Sequence, residues 1–331
     1  MTCLTLGFVL ASQDAGASGV DQATRKLYKR PSGIPFPKDN AHSSARESLG
    51  KTLFFDPRLS GSNWLSCATC HNPGLDWTDG LPRALGVGMK PLPRRTPTLL
   101  NLAWSELMLW DGRSHSLESQ SLEPLASESE MNMPPENLVA KLRKIPGYGA
   151  LFEAAYPEEG LSIATVTKAL ATFERTIVSG TAPFDRWIQG EEKALTPAAV
   201  RGFALFNGKA LCSRCHSGWR LTDDSFHDIG LPDADLGRGA ILPDVEILQH
   251  AFKTPTLRNV DRRAPYMHDG SIATLVDVIE FYDQGGKARR LSQAEDVRPL
   301  GLTSQEKADL LSFLKTLTSA DKSVVLPILP R

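Results

Sequence analysis

Charge of one sign is what this chain most plainly lacks. Its 331 residues carry 37 basic and 38 acidic side chains, a formal net charge of −1. Adjacent basic pairs such as Arg94-Arg95 and Arg289-Arg290 are too short to give the electrostatic footprint of a nucleic-acid or anionic-membrane binder. Cysteine is also scarce: there are five, and four of them fall in two short stretches with no second pair beside either. Apolar residues make up 41% and charged residues 23%, the composition of a soluble globular protein, neither disordered nor membrane-spanning. The length accommodates two domains with ordinary cores.

The fifth cysteine, Cys3, lies in "MTCLTLGFVLAS", a short apolar run followed by Ala15-Gly16-Ala17, which suits a small-residue cleavage site. A secretory leader opens with positive charge, yet the first basic residue is Arg25. Residues 1–25 read as a signal peptide with a truncated start plus a tail, and so as a mark of export; a plain disordered terminus is the alternative.

What the chain does have is "CATCH" at 67–71 and "CSRCH" at 212–216. Zinc asks for four protein ligands, and each unit offers three. A thiol–disulfide CxxC has no use for the following histidine. Covalent attachment of haem c accounts for every position: Cys67 and Cys70, and Cys212 and Cys215, form thioethers, while His71 and His216 present imidazoles to iron.

The repetition extends beyond these units. "TPTLLN" at 96–101 recurs as "TPTLRN" at 254–259; "WDGRSHSL" at 110–117 answers "HDGSIATL" at 268–275. Upstream of each CxxCH, "LGKTLFF" echoes "RGFALFN". A repeat of about half the chain implies duplicated units rather than a solenoid. The expected architecture is mainly α: two cytochrome c-like haem domains, 26–190 and 191–331, related by internal duplication, with long loops and few short strands. Thr196 with Pro197, and Thr303 with Glu306, read as helix starts. Leu310, Leu311, Leu314 and Leu317 form one apolar face. "LSIATVTKALATFERTIVSG" reads as a helix closed by Gly180. Segments 80–97 and 228–245, rich in Pro and Gly, read as long loops walling the haem pockets.

Over residues 45–318 the chain resembles the bacterial di-haem cytochrome c peroxidases, and more closely their MauG-type relatives. The resemblance rests on the paired CxxCH units, "TPTLLN…LWDGR", "TPTLRN" and "APYMHDG". It implies a periplasmic enzyme of Gram-negative type with two covalent haem c groups, the N-terminal one peroxide-reactive and the C-terminal one six-coordinate. In the reduction-activated peroxidases a histidine in a "GHG" turn blocks the first haem. Here the turn is Gly86-Val87-Gly88, and valine has no ligand atom, so the first haem is expected to be open. His42, His115, His227, His250 and His268 remain as other histidines.

Alignment through "PYMHDGSIATLVDVIEFY" sets Tyr282 where those peroxidases carry the second haem's methionine, with Met267 as the other candidate. By the repeat, the same offset in the first half falls on Pro124. Phenolate favours high-valent iron, whereas methionine favours electron acceptance. The resemblance further implies that Gln120 positions peroxide, that Glu130 is the acid–base group, and that Trp110 relays electrons between the haems. A loop carboxylate and a core tryptophan are the plainer readings of Glu130 and Trp110.

Two departures stand out. The family's interdomain calcium takes an asparagine oxygen just before "TPT"; here that residue is Arg95, which has no acceptor, although backbone donors near Arg263 and Pro265 remain. MauG's tryptophan two residues before the second CxxCH is Ala210 here, with Trp219 beyond the motif. The expected activity is that of a di-haem peroxidase. It would use hydrogen peroxide to reach a high-valent di-haem state and oxidise a partner-protein residue, a tryptophan by resemblance. A cytochrome c peroxidase drawing electrons from a small cytochrome, and a non-catalytic di-haem carrier, are the alternatives.

Overall fold

Gly50 and Gly202 show how the chain builds the same thing twice. In the N-terminal half, helix α2 (Ser44–Phe55) crosses α7 (Ile163–Arg175) at Gly50, where a Cβ would lie 1.9 Å from the Ala169 carbonyl oxygen. In the C-terminal half, α9 (Pro197–Asn207) crosses α11 (Ser304–Lys315) at Gly202, where a Cβ would lie 2.0 Å from the Asp309 carbonyl oxygen. Only glycine permits backbones to approach this closely.

The computed structural model describes residues 20–320 and 323–331, so most of the expected leader lies outside the described residues. Besides the crossing pairs there are α1 (Gln22–Tyr28), α3 (Cys67–Cys70), α4 (Leu117–Ala126), α5 (Pro135–Arg143), α6 (Pro146–Ala155), α8 (Pro183–Ile188) and α10 (Leu275–Asp283). Two short strands, β1 (Phe226–His227) and β2 (Phe252–Lys253), pair antiparallel with Phe226 opposite Lys253. The protein is mainly helical with long loops and few short strands, as expected.

The asparagines of the repeated "TPTLxN" segments lock each half together. Asn101 and Asn259 adopt left-handed φ of 64° and 56°, a region asparagine tolerates better than most residues. Their Oδ1 atoms accept from the Ser179 and Ser319 backbone N–H groups, both at 3.0 Å. Their own N–H groups donate to the Ile177 and Leu317 carbonyls. The same contacts correct one expectation. Helix α7 ends at Arg175, not near Gly180, because the backbone of 177–179 is engaged by Asn101 and cannot continue the helical ladder.

Helix starts follow the sequence. Thr196 accepts from the Ala199 N–H, and Thr303 forms a reciprocal capping box with Glu306. Two apolar cores result. One gathers α2, α6 and α7 around Leu53, Phe54, Phe152 and Phe173; the other gathers α9, α10 and α11 around Phe203, Phe206, Ile279 and Phe313. The chain ends cross over between them. Tyr28 of α1, with Phe184 and Trp187 of α8, packs in the C-terminal core. Val324 packs on the N-terminal core, where the Arg58 guanidinium donates to the Pro330 carbonyl at 2.9 Å. No helix among the described residues is long and apolar enough to cross a membrane.

Candidate active site

Each CxxCH folds as a single tight turn that sets its histidine. The His71 N–H donates to the Cys67 carbonyl and the His216 N–H to the Cys212 carbonyl, both at 2.8 Å. The His71 Nδ1–H donates to the Trp77 carbonyl at 3.1 Å, and the His216 Nδ1–H to the Leu221 carbonyl at 2.9 Å. Burial lowers the pKa of both imidazoles. Neutral rings held through Nδ1 keep the Nε2 lone pair for a metal, the usual orientation of a ligating histidine. Burial also raises the pKa of Cys67, Cys70 and Cys212, which disfavours the thiolates that disulfide exchange or zinc would require.

Beside His216 lies an apolar cavity of about 260 Å³ lined by Cys212, Cys215, Met267, Ile279, Tyr282 and Leu314. Tyr282 and Met267 therefore both reach it. Burial pushes the Tyr282 phenol upward, followed by the Cys215 and Cys212 thiols. Arg95 and Arg263 also line the cavity; their Nε atoms are buried and have no hydrogen-bond partner among the described residues. An apolar slot with paired thiols, an oriented imidazole and arginines in its lining fits haem c, whose carboxylate edge calls for cationic partners.

In the N-terminal half, α4 occupies the place α10 holds in the C-terminal half, so Pro124 stands where Tyr282 does. Gln120 precedes Pro124 by one helical turn and shares its face. The Pro124 carbonyl accepts from the Met131 N–H at 3.1 Å, drawing the Glu130 turn alongside. Gly86-Val87-Gly88 closes on the same turn: the Val87 N–H donates to the Ser129 carbonyl at 3.0 Å, and a Cβ on Gly86 would lie 1.9 Å from that oxygen. Glu130 is half-buried. Burial raises its pKa, Arg113 opposes this, Glu123 adds to it and a hydrogen bond from Ser127 opposes it. Glu130 in turn contributes to the raised pKa of Cys70, about 11, after burial and Asp79. The carboxyl thus lies within electrostatic reach of the first CxxCH.

Trp110 sits where the halves meet. Its Nε1–H donates to the Arg95 carbonyl at 2.9 Å, and its ring lines the C-terminal cavity. Of the remaining histidines, His42 pairs with Glu47 and His227 with Asp223. His250 Nδ1 is bonded to the Asp235 carbonyl, His268 is stacked on Phe252, and His115 is exposed.

One polar residue escaped notice in the sequence. Glu174 is 4% exposed, and burial raises its pKa to about 8. It holds in α7 the place of the cavity-lining Leu314 in α11. The signal was legible in "ATFERTIVSG" against "LSFLKTLTSA", where one charge interrupts an apolar face.

Two helical halves, each carrying a CxxCH turn with its histidine held through Nδ1, define a di-haem c-type cytochrome. The sequence profile described as Di-haem cytochrome c peroxidase matches residues 44–193. The methylamine utilization protein MauG of Methylorubrum extorquens is 51% identical over 97% of this chain and 92% of its own. MauG of Methylophilus methylotrophus is 47% identical over 92% of each. Among solved structures, a MauG-like protein associated with microbial copper homeostasis superposes with a TM-score of 0.81 at 35% identity, covering 88% of this chain and 95% of that one. The chain belongs to the di-haem cytochrome c peroxidase family and is a MauG-type di-haem peroxidase with two covalently bound haem c groups.

Proposed function

We propose that this peroxidase works in the periplasm and spends the oxidising power of hydrogen peroxide on a residue of a partner protein, a tryptophan, that never enters the active site. Peroxide takes up two electrons and two protons to give two waters, and the partner residue loses the two electrons. The haem irons supply the centre where the O–O bond breaks and the store for the two oxidising equivalents.

The protein's own groups divide the remaining work. Cys67 and Cys70 would anchor the first haem and Cys212 and Cys215 the second, His71 and His216 would offer their imidazoles to the irons, and Tyr282 would offer its phenol oxygen to the second. Gln120 offers an amide to orient peroxide. Glu130, its carboxyl raised by burial, takes a proton from one peroxide oxygen and returns it to the other as it leaves. Trp110 lies at the junction and passes electrons between the halves. The feature that supports this reading is the asymmetry of the repeat: Tyr282 lines the cavity beside His216, its counterpart Pro124 has no ligand atom, and Val87, likewise without one, is bonded through its N–H to the Ser129 carbonyl next to Glu130.

The test is the ferric enzyme as isolated. One high-spin and one low-spin signal in electron spin resonance, with an optical response to one equivalent of peroxide before any reduction, is expected. Two low-spin signals and no response until the protein is reduced would overturn the open first site. Fast peroxide turnover with reduced small cytochrome c, and no oxidation of captured partner proteins, would transfer the protein to the detoxifying class.

A further inference from the structure

Arg95 is a node through which both halves pass. Its N–H donates to the His268 carbonyl at 2.8 Å, its carbonyl accepts the Trp110 Nε1–H at 2.9 Å, and its Nη2 donates to the Arg263 carbonyl at 3.0 Å. The Arg263 guanidinium in turn donates to the Thr256 carbonyl at 2.5 Å. Both side chains are buried, Arg95 5% and Arg263 6% exposed. Burial lowers both pKa values, and Arg95 adds to the lowering at Arg263, so two cations face each other out of water. Acidic partners are near without bonding to either guanidinium in the contacts described: Asp79 acts on Arg95 and accepts from Thr96, while Asp76 acts on Arg263 and accepts from Asn259.

The residues at this junction do not fit the interdomain calcium that the family implies. Calcium takes about six to eight oxygen ligands at roughly 2.3–2.6 Å, usually with carboxylates among them. Here the side chain expected to give oxygen gives donors only. The Arg263 carbonyl that a cation would use already accepts from Arg95. A divalent ion drawn to that oxygen would meet two buried positive charges, while the nearby Asp79 and Asp76 carboxylates are engaged by Thr96 and Asn259.

We propose that the Arg95 guanidinium is itself the cation of the interdomain site, stapling the halves and fixing the carbonyl that holds Trp110, so that this peroxidase needs no divalent metal. The Nε atoms of Arg95 and Arg263 are buried without a hydrogen-bond partner among the described residues, while both residues line the C-terminal cavity. The proposal stands apart from the identity of the oxidised partner, because every readout below is taken on the holoenzyme alone.

Purified holoenzyme is dialysed against a chelator and, separately, against millimolar calcium chloride. Metal content, electron spin resonance and haem absorption are then compared. The expected result is substoichiometric calcium in both samples and superimposable spectra. One calcium per chain surviving extensive dialysis, with chelation altering the spin state of either haem, would overturn the proposal. Arg95→Asn restores a side-chain oxygen and removes the charge. This variant should bind calcium, and its haem spectra should sharpen or shift when calcium is added. Arg95→Lys keeps a cation and should stay indifferent to chelator and to calcium. Spectra of Arg95→Asn that match wild type with and without calcium would show that no cation site lies there.

Discussion

The ring of Trp110 meets that of His268 edge-on, with centroids 6.4 Å apart and planes at 67°. Each lies nine residues after the asparagine of its own "TPTLxN" segment, so the duplication brings its equivalent positions into contact at the junction. His268 is stacked on Phe252 at 3.5 Å, which fixes the far side of the contact. An indole held by one hydrogen bond and one ring contact fills space at the junction, and the electron relay proposed for it is a separate role.

Trp110→Phe separates these roles. It keeps an aromatic ring but leaves the Arg95 carbonyl without its indole donor, a loss of about 1 kcal/mol in stability. Both haems should remain attached and the first site should still respond to peroxide. The second haem should no longer change its spectrum in step. Rapid-scan absorption of the two haems checks this, and an unaltered second-haem response would make Trp110 a packing residue.

Tyr282→Phe addresses the outer ligand proposed for the second site. Burial holds the phenol protonated well above its usual range, so only a strong local cation such as ferric iron would draw the proton away. The variant should lose the low-spin signature of the second haem, with the peroxide reaction at the first largely kept. If its electron spin resonance spectrum matched wild type, the ligand would be Met267, which lines the same cavity.

Gly202→Ala probes the fold that positions these groups. The added methyl would stand 2.0 Å from the Asp309 carbonyl, forcing α9 and α11 apart at their crossing. A cost of about 1–3 kcal/mol is expected, as for other overpacked contacts. The damage should appear as a lower melting temperature with disturbance of the second haem ahead of the first; Gly50→Ala should reverse that order. Unchanged melting would mean that the crossing has slack.

Much of this architecture is legible in the residues because it is local or repeated. A CxxCH needs no distant partner to declare itself, and Thr196 and Thr303 cap helices within three positions. The repeat then carries information across the chain, setting Tyr282 against Pro124 and exposing Glu174 against Leu314. The rest depends on contacts between distant segments. The α7 terminus moved because Asn101, more than seventy residues earlier, takes the backbone that Gly180 was expected to cap. Tyr28 and the 323–331 tail crossed to the opposite cores with no motif to announce it. Arg95 was visible as a departure, but its bond to the Arg263 carbonyl exists only once the halves are docked.

Glu130→Gln bears most directly on catalysis. The variant keeps size and polarity and removes the titrating group, so the peroxide reaction should slow by about 10²–10⁴-fold, the usual contribution of a positioned acid–base group. To accept a proton from peroxide the residue must begin as carboxylate. The rate should therefore climb as pH rises through its pKa, which burial displaces above the ordinary value of about 4.3. Arg113 is the charge that opposes this displacement, so Arg113→Ala should move the rising limb to higher pH, while Glu130→Gln should abolish it. Both haem spectra should be unchanged in either variant. Stopped-flow absorption across the pH range is the measurement. A rate within about threefold of wild type at every pH, far short of that range, would leave Glu130 a loop carboxylate with no part in the chemistry.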